Sequence, residues 1–136
     1  MIYQKEIKLP QFKRGFHLID KYILNELKNL PKNGLLNIFI KHSSAAISIN
    51  ENADPSVRVD FENIYNKLVP ENESYYTHTF EGDDDMPAHV KTTLTGNSLT
   101  IPVTDGTLNL GLWQGIYLCE FRNTGGNRNI VLTVYS

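Results

Sequence analysis

One cysteine in 136 residues excludes a disulfide framework, and with it the small secreted scaffolds that rely on cross-links in place of a core. The single thiol, Cys119, lies in the apolar run Ile116 to Phe121, where a small buried residue is expected. No stretch approaches the roughly 18 consecutive apolar residues of a membrane-spanning helix, so no membrane partner is expected. Charge of one sign is also scarce. With 13 Lys and Arg against 15 Asp and Glu, the formal net charge is -2, and no basic face marks a nucleic-acid binder. Internal repeats and low-complexity tracts are missing. Met1 to Leu9 alternates charged and apolar residues instead of offering the apolar centre of a signal peptide, so the expected location is cytoplasmic.

What is there suits one globular domain spanning 1–136. Hydrophobic residues make up 40% and charged residues 21%, and a chain of this length buries about two-thirds of the surface it exposes unfolded. Ile2 to Leu9 reads as a strand, and Phe16 to Ile19 as a second extended piece before Asp20, a candidate N-cap. Ile23, Leu27 and Leu30 recur at helical spacing up to Pro31 and the Asn33-Gly34 turn. Leu35 to Lys41 carries large apolar side chains on both parities, which predicts a strand covered on both faces; it ends at His42. Ala45 to Ile49 reads as another strand.

Asp54-Pro55 starts a helix, because aspartate caps free amides and proline fits the first helical position. Val57, Phe61, Ile64 and Leu68 give that helix an apolar stripe. The irregular segment Glu71 to Asp85 precedes a short helix from Met86-Pro87 to Leu94. Strands follow at Ser98 to Val103, Thr107 to Leu112, Gly115 to Arg122 and Asn129 to Tyr135, with turns at Asp105-Gly106 and Gly125-Gly126. These predict an antiparallel meander. The expected class is α+β: a mixed, mostly antiparallel sheet, two longer helices and one short helix.

Three of the four histidines, His42, His78 and His89, fall at element ends or in irregular segments, and none forms a compact spacing motif. As neutral imidazoles they suit zinc, and three of them would leave an open position for catalysis; separately hydrogen-bonded or exposed rings are the alternative. Glu51, Asn52 and Asp54 place two carboxylates and an amide just downstream of His42. They either orient metal-bound histidines or supply a general base, or they simply start the helix. Asp83, Asp84 and Asp85 form a solvated helix-starting loop, or hold a hard cation such as magnesium. Trp113 is read as core or interface. Alternation puts Glu120 and Arg122 on one face, where Arg122 pairs with Glu120 or offers its fork to a phosphate.

These motifs together resemble the YjbQ family, also called the secondary thiamine-phosphate synthase family. The resemblance spans nearly the whole chain and is carried by four ordered blocks. They are His42-Ser43-Ser44-Ala45; Asn50 to Pro55 with Arg58 and Asp60; Asp84 to Lys91; and Gly106 through Gly111 to Tyr117, closing on Glu120-Phe121-Arg122. It implies a sheet curling toward a barrel, a homotrimer, and a metal and anion site among the shared polar residues. The expected metal ligands are His42, His78 and His89, with zinc as the ion and magnesium as the alternative. Glu51, Asp54 and Asp85 are the expected catalytic or ligand-orienting carboxylates, and Ser44, Asn52, Arg58, Gln114 and Arg122 the expected contacts to a phosphorylated substrate.

The activity implied is a thiamine-phosphate synthase, joining a pyrimidine diphosphate to a thiazole phosphate with loss of pyrophosphate. A metal-dependent phosphohydrolase and a non-catalytic trimer that binds a metal and a metabolite are the rival expectations. Three positions depart from the family pattern. Ser43 keeps the hydroxyl of the usual threonine, Thr107 removes an arginine that offers a phosphate contact, and Leu112 replaces a threonine.

Overall fold

The computed structural model describes residues 1–136. In chain order the elements are β1 (Ile2–Lys8), β2 (Gly15–Leu18), α1 (Asp20–Glu26), β3 (Asn33–Ile40), β4 (Ala45–Glu51), α2 (Pro55–Leu68), α3 (Asp85–Thr95), β5 (Ser98–Thr104), β6 (Thr107–Leu108), β7 (Gln114–Glu120) and β8 (Asn129–Tyr135). Five strands form one sheet in the order β1-β8-β3-β5-β6, and three form a second, β2-β7-β4. Every paired neighbour is antiparallel. The larger sheet curls strongly into half a barrel, so the α+β class is as expected. The unbroken meander is not: β8 enters between β1 and β3, whereas β7 enters between β2 and β4. Residues 121–128 therefore carry the chain from one sheet to the other instead of closing a hairpin.

Two apolar clusters lie on opposite faces of the smaller sheet. Leu36, Ile38, Ile40, Ile101, Ile130 and Leu132 of the larger sheet meet Ala45, Ile47, Ile116 and Leu118 of the smaller one, with Ile23 and Leu27 closing one end. Behind them, Phe16, Ala46, Tyr117, Cys119 and Phe121 pack against Phe61 and Tyr65 of α2 and Ala88 of α3. The doubly covered strand is thus β7, whose residues Gly115 to Glu120 are all buried. β3 is covered on one face only: Leu36, Ile38 and Ile40 are buried, while Leu35 and Phe39 are 45% and 41% exposed. Its apolar residues at both parities reflect an apolar outer surface, not a second layer.

Helix α1 ends at Glu26, one turn short of the expected Leu30, and the Leu27 amide turns back to the Leu24 carbonyl. The two longer helices are therefore α2 and α3. Asp20 does not cap; its Oδ1 accepts the Ile116 amide at 2.9 Å and ties α1 to β7. On α2 the inward face carries Phe61 and Tyr65, while Ile64 and Leu68 of the expected stripe are exposed. The helix is rotated because its polar flank is in use: Arg14 donates to Glu62 Oε1 and to Asn66 Oδ1. Gly115 is required where β7 passes Leu18 and Asn52, since a Cβ there would lie 2.6 Å and 2.8 Å from their side chains.

One ion pair sits where the sheets meet. Glu120, fully buried, receives Arg128 Nε at 2.7 Å and Nη2 at 2.6 Å, and the same guanidinium reaches Ser44 Oγ. Glu120 therefore pairs with Arg128, not with Arg122 as the alternation suggested. Removing one partner leaves an unpaired buried charge. Arg128→Met should cost about 3–5 kcal/mol in urea unfolding, and adding Glu120→Leu should recover most of that loss.

Candidate metal centre

The first turn of α3 sets the geometry. Asp85 and His89 are four residues apart, which puts them on one face of the helix. Asp85 is 3% exposed. Its Oδ2 lies 3.3 Å from His89 Nε2 and 2.7 Å from Nε2 of His78, which arrives from the loop before the helix. The ligand atoms of His78, Asp85 and His89 all fall within 4.8 Å of one another. The two imidazoles stand edge to face, with centroids 5.3 Å apart.

Two of the three groups, His89 and Asp85, are oriented from behind. His89 Nδ1 is 2.9 Å from the Ser43 carbonyl; a carbonyl only accepts, so Nδ1 carries the proton and Nε2 of the neutral ring turns its lone pair toward Asp85. This is the arrangement that presents an imidazole to a metal. Asp85 Oδ1 accepts Arg122 Nη1 at 2.7 Å, and Arg122 Nε donates to Asp84 Oδ2 at 2.9 Å. Arg122 Nη2 closes the grip on the Glu81 carbonyl. Burial works against the charge on Asp84, but the Asn123 amide and Arg122 outweigh it and hold its carboxyl below the ordinary value. Arg122 loses solvation as well, yet Asp84 and Asp85 raise its pKa further.

The charge balance fits a cation. Asp84 and Asp85 carry two negative charges and Arg122 one positive, so the carboxylates outnumber the guanidinium, and His78 Nε2 donates to Asp85 Oδ2 at 2.7 Å through a proton that a divalent ion would displace. His78, Asp85 and His89 would hold a divalent ion, and two imidazoles with one carboxylate are a donor set that suits zinc.

The remaining expected site residues lie in other environments. His42 stands outside this triad; its Nε2 accepts the Asn129 amide at 2.8 Å, and burial followed by Arg128 lowers its pKa. Asp54 caps α2 by accepting the Ser56 amide at 2.9 Å, and Glu51 accepts the Asp54 amide. Asn52 donates to the Leu112 and Gln114 carbonyls, Gln114 closes a turn on the Gly111 amide, and Ser44 is buried on Arg128. Arg58 Nε is buried with no partner in the chain. Trp113 is 62% exposed and Leu112 80%. Sequence reasoning passed over Asp84 as a separate actor, and Arg128 and Asn129 altogether. The adjacency of three aspartates was a signal for the first; the other two act across distant chain positions and left none.

Residues 5–136 match the model of the UPF0047 protein YjbQ-like family. The chain is 46% identical over 136 residues to the UPF0047 protein YjbQ of Escherichia coli O157:H7, covering 98% of both chains. The YjbQ protein of Salmonella typhimurium is 48% identical over 98% of both. Among solved structures, an uncharacterized conserved protein of the yjbq/upf0047 family from Clostridium acetobutylicum superposes with a TM-score of 0.83 at 33% identity, over 96% of this chain and 99% of the other.

Because Asp84 holds its proton less tightly folded than unfolded, its contribution is complete above the ordinary value of 3.8 and is lost as the pH falls below it. Urea unfolding of the wild type should therefore weaken in acid over that range. Asp84→Asn should be less stable than the wild type at neutral pH and lose less of its own stability on acidification.

Proposed function

The chain belongs to the UPF0047 YjbQ-like family, and on that premise we propose that it is a zinc-dependent enzyme acting on small phosphorylated metabolites. The observation that carries this reading is the triad of His78, Asp85 and His89, with His89 held as a neutral Nε2 donor and Asp85 fixed by Arg122. Zinc in such a site supplies Lewis acidity toward a phosphoryl oxygen. The chain's own groups keep the ligands in place, and Arg122 is spent on Asp84 and Asp85. The phosphate end of a substrate is therefore assigned to the open metal position. The specific reaction is thiamine-phosphate synthesis, in which the pyrimidine methylene leaves its diphosphate and bonds to the thiazole nitrogen.

The assembly we propose is a homotrimer. No helix covers the outer face of the larger sheet, where Ile2, Leu35, Phe39 and Tyr135 are all more than 40% exposed. These apolar side chains flank a polar row of Gln4, Asn37 and Thr133, and self-association is what covers exposed apolar groups on an open sheet face.

Calorimetric titration with zinc should show one site per chain, weakened at least about tenfold in His89→Ala or Asp85→Asn, the loss typical of a removed ligand or its support. Zinc-loaded protein given the pyrimidine diphosphate and the thiazole phosphate should form thiamine phosphate. Release of inorganic phosphate from a substrate panel without that product would make it a hydrolase, and zinc binding with neither reaction would make it a binding protein. In light scattering, Leu35→Glu with Phe39→Glu should convert a trimer to monomers.

A further inference from the structure

Beside the metal centre lies a groove of about 400 Å³ with no hydrophobic lining residue. His89 forms the shared wall, and His42, Ser43, Thr92, Thr93 and Asn97 are among the others. None of these side chains is a permanent cation. The last turn of α3 adds the partial negative charge of its carbonyls. The groove is therefore poorly suited to a second phosphate and well suited to an uncharged polar group. One of its liners has an unmet requirement: Thr92 is 7% exposed, and its buried hydroxyl has no partner in the chain.

His42 is set apart by how its ring is held. The Asn129 amide donates to Nε2 at 2.8 Å, so Nε2 is an acceptor and the proton of the neutral ring sits on Nδ1. A second proton on Nε2 would place two donors against each other. The ring makes its one hydrogen bond within the chain at Nε2, which leaves Nδ1 without a hydrogen-bond partner, and the half-buried ring lines the groove. We propose that His42 is not a metal ligand but a fixed neutral hydrogen-bond donor, presenting Nδ1–H to a carbonyl or ring-nitrogen acceptor of a ligand whose anionic end occupies the metal position.

This proposal rests on the zinc reading for the anionic end, while the tautomer stands without it. Long-range proton–nitrogen NMR of the imidazoles in metal-free protein should show His42 protonated at Nδ1 and bare at Nε2. Added zinc should move the resonances of His78 and His89 and leave the His42 nitrogens in place. A His42 ring protonated at Nε2, or one that joins the zinc shift, overturns the proposal; no shift in His78 and His89 overturns the metal reading instead.

The second arm uses two probes that differ by one carbonyl. Zinc-loaded wild type should bind acetonylphosphonate about tenfold more tightly than propylphosphonate, the ratio expected of one hydrogen bond. His42→Phe should abolish that preference and leave zinc affinity within about twofold, while His42→Asn, which keeps an N–H near the Nδ1 position, should retain most of it. Equal binding of the two phosphonates to the wild type contradicts the assignment, as does loss of zinc from His42→Phe in a protein that remains folded.

Discussion

Two adjacent carboxylates, Asp84 and Asp85, are buried at the start of α3, and two negative charges side by side are tolerable there only where cations or donors meet them. Arg122 meets both at once, and the Asn123 amide adds to Asp84. This grip fastens the loop after β7 to the N-terminus of α3. It also leaves one oxygen of Asp85 facing two imidazoles. The candidate centre is thus the unneutralised remainder of a structural ion cluster, so the residues proposed to hold a metal are also those that fasten the helix.

The sheets deliver these parts to one place. β7, buried on both faces, runs out at Glu120 and hands the chain to Arg122. β4 begins just after Ser43, whose carbonyl orients His89, and β8 begins at Asn129, whose amide fixes His42. Two strand ends therefore supply the backbone groups that hold His89 and His42, and the third supplies the Arg122 side chain that holds Asp85. Underneath, the Glu120–Arg128 pair reaches Ser44 and holds the ends of β7 and β4 together with the start of β8.

Much of this was legible along the chain. The Asp54-Pro55 helix start, most strand positions and the family blocks were all local signals, although the strand read over Thr107 to Leu112 stops at Leu108. What was not legible depended on partners far away in sequence. The alternation that put Glu120 beside Arg122 was sound, but it could not reveal Arg128 eight residues on, across the passage between sheets. The outer stripe of α2 and the doubly apolar β3 were misassigned for one reason: an apolar side chain reads the same in sequence whether the fold buries it or leaves it at the surface. His42 shows the same limit, since its environment is set by an amide 87 residues away.

Anomalous diffraction at the zinc edge from crystals of the zinc-loaded protein tests the central claim most directly. The account predicts one strong peak per chain, with Nε2 of His78, Nε2 of His89 and one oxygen of Asp85 at about 2.0–2.2 Å. A peak on His42, or zinc held without Asp85, would contradict it.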